Sequence, residues 1–424
     1  MYKKLTFPNG ARLLLIPYKD TKAVTVLFLF GVGSRYESKD VNGVSHFIEH
    51  LLFKGTKLRP TSLHISKELD SVGAEFNAMT SKDYTGYYVK INHENCELGI
   101  DILSDMILNS KFDAREIDRE RGVVIEEIKM YEDNPVMYIE TLLEQLIHRG
   151  NALARDISGP IEVIEKISRK QIIDFKEKHY CLDNLVIAVA GKIDGQVTEL
   201  IEKHFIQSSH HCDRNHGGRF VKFKTNQKAP RVELNFKETK QAQLALGFPC
   251  FGYNDPDAYG LHLLSIILGG NMSSRLFTSV REKNGLAYFI RCYPNFYQDC
   301  GNIIIQSGLD NNRTEEALKI ILKELKSVKN KGVTEKELKD AKEFMRGKIV
   351  LNLEDSSNLA EYFAKQEVLL GEVMTPEQKM EKYDEVTVKD IKRIANNVFK
   401  KNKFNLAIIG PFKSESKFLK AVKL

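Results

Sequence analysis

Two histidines one helical turn apart, with a glutamate beside the second, stand out as residues able to do chemistry: His46-Phe-Ile-Glu49-His50. On a helix, positions i and i+4 are neighbours, so both imidazoles can reach one metal ion. Two histidines and one carboxylate with an open fourth position form a catalytic zinc arrangement, because structural sites usually close all four. Glu49 points at the same space without the geometry of a ligand. A carboxylate there can take a proton from water activated by the metal. The pattern H-x-x-E-H is the inversion of the commoner H-E-x-x-H zinc motif. His46, His50 and Glu49 are therefore read as two ligands and a general base.

The surrounding residues, Asp40 to Gly55, must place these groups. At helical spacing Val44, Phe47, Ile48, Leu51 and Leu52 form one apolar stripe, and His46, Glu49, His50 and Phe53 lie opposite. A solvent-exposed helix with two chance histidines would not carry that stripe. Asp40 or Asn42 is placed to cap the start and Gly55 to end the helix. A second helical pattern, Asp113 to Tyr131, sets Ile117, Glu120, Val124, Glu127 and Tyr131 on one face. Carboxylates on a buried face need partners. A metal for one and a ligand imidazole N–H for the other would supply them. A solvated acidic helix, with Glu116, Glu126 and Glu132 nearby, fits this pattern equally well.

Across its 424 residues the chain is 42% hydrophobic and 28% charged, an ordinary globular composition with room for two or three domains. A net charge of +6 spread among interleaved signs, with no basic stripe, argues against nucleic-acid binding. No run approaches a membrane span, and the start lacks the marks of a signal or transit peptide. Six cysteines without paired spacing read as reduced thiols, hence a cytoplasmic protein.

In order, Ala11–Ile16 and Val24–Phe30 read as strands, Gly73–Thr80 and Tyr84–Ile91 as a strand pair, and Cys96 to Ser110 as a helix. Asn184–Gly191 closes the half with another strand. Residues 208–228 then turn polar and rich in turn formers. His210, His211, Cys212 and His216 crowd there, as a second metal site or within a flexible linker. The second half repeats the first. Lys240–Phe248 answers the Val24 strand, and Asp255–Gly270 answers the metal helix. Leu261, Leu264 and Ser265 stand where His46, Glu49 and His50 stood. Lys348 replaces Glu127, and Asn405–Gly410 answers Asn184–Gly191. This is a duplication with one live site and one blank copy: domains 1–207 and 229–424. The blank copy carries a glycine-rich stretch, Gly269–Phe277, then Arg281 and Tyr288, a cation and a phenol able to polarise a carbonyl. Residue chemistry alone gives them a structural role.

Over essentially its whole length the chain resembles the pitrilysin-type zinc peptidases, which include insulin-degrading enzyme and mitochondrial processing peptidase. It is most similar to their short bacterial processing-protease branch. The resemblance rests on H-x-x-E-H, on a third-ligand glutamate falling at Glu127, and on a supporting glutamate seven residues earlier at Glu120. Glu126 is the fallback ligand should the count slip by one. The strand Gly73, Ala74, Asn77, Ala78, Thr80 matches the family's substrate-holding strand, and Arg281 and Tyr288 match a pair that completes the site from a blank domain. The resemblance implies an α+β fold of two homologous domains, each an antiparallel-rich mixed sheet covered by helices. It further implies one Zn2+ per chain held by His46, His50 and Glu127, peptides gripped at Asn77 and Ala78, and a homodimer enclosing a chamber. The expected activity is that of a zinc metalloendopeptidase acting on unfolded peptides. The rivals are a non-catalytic core or partner subunit of the same family, and a peptide-binding scaffold with structural zinc.

Overall fold

The computed structural model describes residues 2–207 and 220–422, so the His210/His211/Cys212/His216 cluster lies outside the described residues. The chain divides into two compact units. One comprises Met1–Ile128, Arg155–Phe220 and Val350–Thr375; the other comprises Lys129–Ala154, Val221–Ile349 and Pro376–Leu424. Each is a mixed, mainly antiparallel sheet with helices on both faces, an α+β architecture.

The first sheet contains β1 (Lys3–Thr6), β2 (Arg12–Pro17), β3 (Ala23–Phe30), β4 (Glu75–Thr80), β5 (Thr85–Asn92) and β6 (Leu185–Gly191), in the spatial order β1-β2-β6-β3-β5-β4. Only β2 and β6 run parallel. The second contains β7 (Arg231–Phe236), β8 (Gln241–Cys250), β9 (Ala287–Phe296), β10 (Gly301–Asp310) and β11 (Asn405–Gly410), ordered β7-β11-β8-β10-β9 with β7 and β11 parallel. Without β1 the two orders coincide, with β6 matching β11, β3 matching β8 and β4 matching β9. The helix Asp257–Ser265 follows β8 as the helix Val44–Leu52 follows β3. The sequence repeat is thus a repeat of topology.

Strands such as β3 and β6 are apolar at successive positions, so both faces of the sheet must be covered. Val24, Val26, Phe28, Tyr87, Ile187 and Val189 point into a core shared with the helix Val44–Leu52. Leu14, Leu27, Leu29, Val186 and Ala188 point the other way, against Leu359, Ala360, Phe363 and Ala364 of the helix Ser356–Leu370. In the second unit Ala245, Ile304, Ala407 and Ile409 are covered by Ile139, Leu142, Leu143 and Ile147 of the helix Pro135–Ile147. The halves 1–207 and 229–424 therefore do not coincide with the compact units. Each unit is completed by one helix from the other half of the sequence.

Cys96, Cys250, Cys292 and Cys300 are free thiols, whereas Cys181 is disulfide-bonded. The expectation of six reduced thiols is corrected on that point. Among the described residues no helix is long and apolar enough to cross a membrane.

Candidate active site

The helix Val44–Leu52 buries Val44, Phe47, Ile48, Leu51 and Leu52, the stripe read from the sequence, and His46 as well. Its start is capped by neither Asp40 nor Asn42. Gly43, the N-cap residue, takes a left-handed φ of 99°, and the buried carboxylate of Glu37 accepts from the amides of Gly43 at 2.7 Å and Ser45 at 2.8 Å. Asn42 donates its side-chain amide to the same carboxylate at 2.8 Å. Two of the amides a helix start leaves unpaired are thereby satisfied, and the His46 turn is fixed from below.

The second element is the helix Ala114–Asp133, which buries Ile117, Glu120, Val124 and Ile128. Glu120 and Glu127, two turns apart, face His46 and His50, whereas Glu126 is exposed. His50 Nε2 lies 3.3 Å from His46 Nε2 and 3.3 Å from Glu127 Oε2, and His46 Nε2 lies 3.7 Å from that same oxygen. Ligands about 2.0–2.1 Å from a tetrahedral zinc are separated by roughly 3.3–3.4 Å, so these three atoms fit the ion. Among the described residues this is the one cluster of histidine, cysteine and carboxylate groups able to hold a metal. Nitrogen lone pairs and a carboxylate oxygen converging so closely form an arrangement that a cation stabilises.

Glu120 fixes the orientation of His50. Its Oε1 accepts from His50 Nδ1 at 2.9 Å, which turns Nε2 toward the cluster, and its Oε2 pairs with Lys54 at 2.7 Å. Burial raises the cost of the Glu120 charge, yet His50 and Lys54 together hold its carboxyl below the usual range. The two imidazoles are pushed apart. Burial, aided by the neighbouring His50, lowers His46 to about 4. Burial also disfavours the His50 cation, but hydrogen bonds to Glu120 and Glu127 outweigh it and bring the ring to about 9. The His50 contact likewise lowers Glu127.

Glu49 is not among the converging atoms. Its Oε2 accepts from the hydroxyl of Thr80, the last residue of β4, and burial raises its carboxyl above the ordinary value. Asn77 and Ala78 lie on β4, the edge strand of the first sheet, where the Ala78 amide donates to Asn77 Oδ1 at 2.9 Å. Arg281 and Tyr288 lie in the other unit and form a pair of their own. The guanidinium is 5.7 Å from the Tyr288 ring centroid, and Tyr288 is 75% exposed. Three residues without an assigned role thus support the site: Glu37, Lys54 and Thr80. Lys54 was findable, since it lies one turn beyond His50. Thr80 sits in the matched strand, but nothing in that strand points to Glu49.

Two family models match the chain. Insulinase (Peptidase family M16) covers residues 13–161, and Peptidase M16 inactive domain covers residues 166–345. The "Uncharacterized zinc protease YmxG" of Bacillus subtilis is 34% identical over 411 residues, spanning 97% of this chain and 98% of the relative. The chain belongs to peptidase family M16. A relative from Rickettsia felis, also named an uncharacterized zinc protease, is 32% identical over 414 residues, 95% of this chain and 96% of its own. Among solved structures, a protease from Helicobacter pylori superposes with a TM-score of 0.92 at 25% identity, covering 97% of this chain and 99% of that one. A Pseudomonas fluorescens protein described as a peptidase M16 inactive domain shares the fold, with a TM-score of 0.87 at 20% identity, 98% of each chain being covered. In this M16 chain the insulinase match contains His46, Glu49, His50, Glu120 and Glu127, and the inactive-domain match contains Leu261, Leu264, Ser265, Arg281 and Tyr288 but ends before Lys348.

Proposed function

We propose that this chain is a zinc-dependent metalloendopeptidase that hydrolyses unfolded peptides. The convergence of His46 Nε2, His50 Nε2 and Glu127 Oε2 within 3.7 Å, with Glu49 alongside but outside the set, carries the reading. Bound there, Zn2+ supplies Lewis acidity to a peptide carbonyl and to water. Glu49 removes the proton from the attacking water and delivers it to the leaving amine, a role suited by a carboxyl that burial has made more basic. Glu120 holds the His50 ring in one tautomer, and Thr80 holds Glu49.

The peptide lies along β4 as an added strand, gripped through main-chain hydrogen bonds at Asn77 and Ala78. One observation supports this: among the described residues β4 pairs only with β5, which leaves its other edge open. Backbone recognition tolerates many sequences. In a homodimer, Arg281 and Tyr288 of one copy polarise the carbonyls of the peptide held by the other. Four free thiols support a cytoplasmic location in a bacterium, and the Cys181 bond makes cell fractionation its test.

The test incubates protein containing one zinc per chain with a mixed peptide pool and sequences the cut sites. Chelation should abolish cleavage and zinc should restore it. Glu127→Gln should lower zinc content. Full zinc occupancy in that variant would move the ligand to Glu126, and intact zinc without cleavage would favour a structural scaffold.

A further inference from the structure

The proposed seating of a peptide on β4 has a consequence on the far side of the sheet. The register sets Asn77, Tyr88 and Leu27 on one face and Ala78, Tyr87 and Phe28 on the other. The second face carries the metal helix, and the first carries the helix Ser356–Leu370. Side chains alternate along a strand, so every second residue of a peptide added to β4 points away from the metal centre.

On that far face, beside the β4 edge, a cavity of about 250 Å³ opens between the sheet and the first turns of the helix Ser356–Leu370. Leu27, Met79 and Tyr88 line it from the sheet, and Ser357, Asn358 and Glu361 from the helix. Glu361 pairs through Oε1 with Lys365, whose ammonium also lies 4.7 Å from the Tyr84 ring centroid. Nearby, Lys90 is shared between Glu75 at 3.3 Å and Asp355 at 2.7 Å. Three carboxylates against two ammonium groups leave the surroundings negative. A long aliphatic stem ending in a cation suits such a site: the stem lies on Leu27 and Met79, and the charge reaches Glu361 and the Tyr88 ring.

We propose that this cavity is a side-chain subsite for the bound peptide, in which Glu361 selects lysine or arginine. The inference rests on the peptidase reading above, and its experiment separates the two. Zinc-loaded wild type, Glu361→Gln and Glu361→Lys are given the same peptide library, with zinc content and thermal unfolding measured alongside. Wild type should favour lysine or arginine at one fixed position from the cut. Glu361→Gln should reduce the kcat/KM ratio of lysine over glutamine peptides roughly 10-fold or more, as loss of a contact to a charged group does. Glu361→Lys should turn the preference at that position toward aspartate and glutamate. Loss of packing alone would not reverse a charge preference. Cleavage with the wild-type profile in both variants overturns the subsite and leaves the peptidase intact. No cleavage by any of the three proteins overturns both.

Discussion

The ring of His50 meets the buried carboxylate of Glu120 through Nδ1 at 2.9 Å, and this contact decides which imidazole nitrogen faces Glu127. Replacing Glu120 with glutamine keeps the shape but weakens the acceptor. Zinc affinity should fall roughly 10- to 100-fold, the usual effect of losing a partner of a metal-bound histidine. Competition with a chelator of known affinity checks this. Unchanged affinity would reduce Glu120 to a partner of Lys54 alone.

Glu49→Gln should separate binding from chemistry. The variant keeps the hydrogen bond to Thr80 and leaves the three converging atoms in place. Zinc content should therefore stay near one per chain, while turnover drops around 10²–10⁴-fold. Turnover close to wild type would remove Glu49 from the proton path.

Acid stability should depend on His179. The ring is buried between Phe175 and Tyr36, and burial, with Lys178 nearby, lowers it to about 4 from an ordinary 6.5. Between those values the unfolded chain binds the proton and the folded chain does not. The contribution of His179 is thus complete above pH 6.5 and is lost as the pH falls toward 4, at up to about 1.4 kcal/mol per pH unit. Denaturant unfolding of His179→Phe should show a shallower pH dependence across that window. A slope equal to wild type would show that the ring protonates without unfolding.

Mixing two inactive variants tests the shared site. In a dimer of Glu49→Gln with Tyr288→Phe, one site is damaged twice and the other is whole. Activity should return to roughly a quarter of wild type if subunits exchange at random. A heterodimer proven by mass but inactive would confine Arg281 and Tyr288 to their own chain or to the fold.

The metal helix was legible because its evidence is local: two histidines one turn apart over an apolar stripe. Glu120 and Glu127 were less so, since periodicity alone could not distinguish a carboxylate facing His46 and His50 from one facing water. Only the resemblance fixed the count. The same pattern set Tyr131 on the buried face, where the structure buries Ile128 and leaves Tyr131 38% exposed. The cap was misread because Gly43, at φ 99°, turns the chain so that Glu37 replaces the adjacent Asp40 and Asn42. Least legible was the ownership of helices. Apolar faces on Pro135–Ile147 and Ser356–Leu370 require a partner sheet, but no residue states which one.

That ownership also sets a schedule for synthesis. The central strand β6 ends at Gly191, and the helix that covers the outer face of its sheet begins at Ser356, roughly 165 residues later. At about 5–20 residues per second, the ribosome leaves Leu14, Leu27, Leu29 and Val186 without their cover for roughly 8 to 33 seconds. The nascent first unit must spend that interval either unfinished or shielded by a chaperone, and a transcript cut between the two halves would encode a sheet that stays sticky on one side.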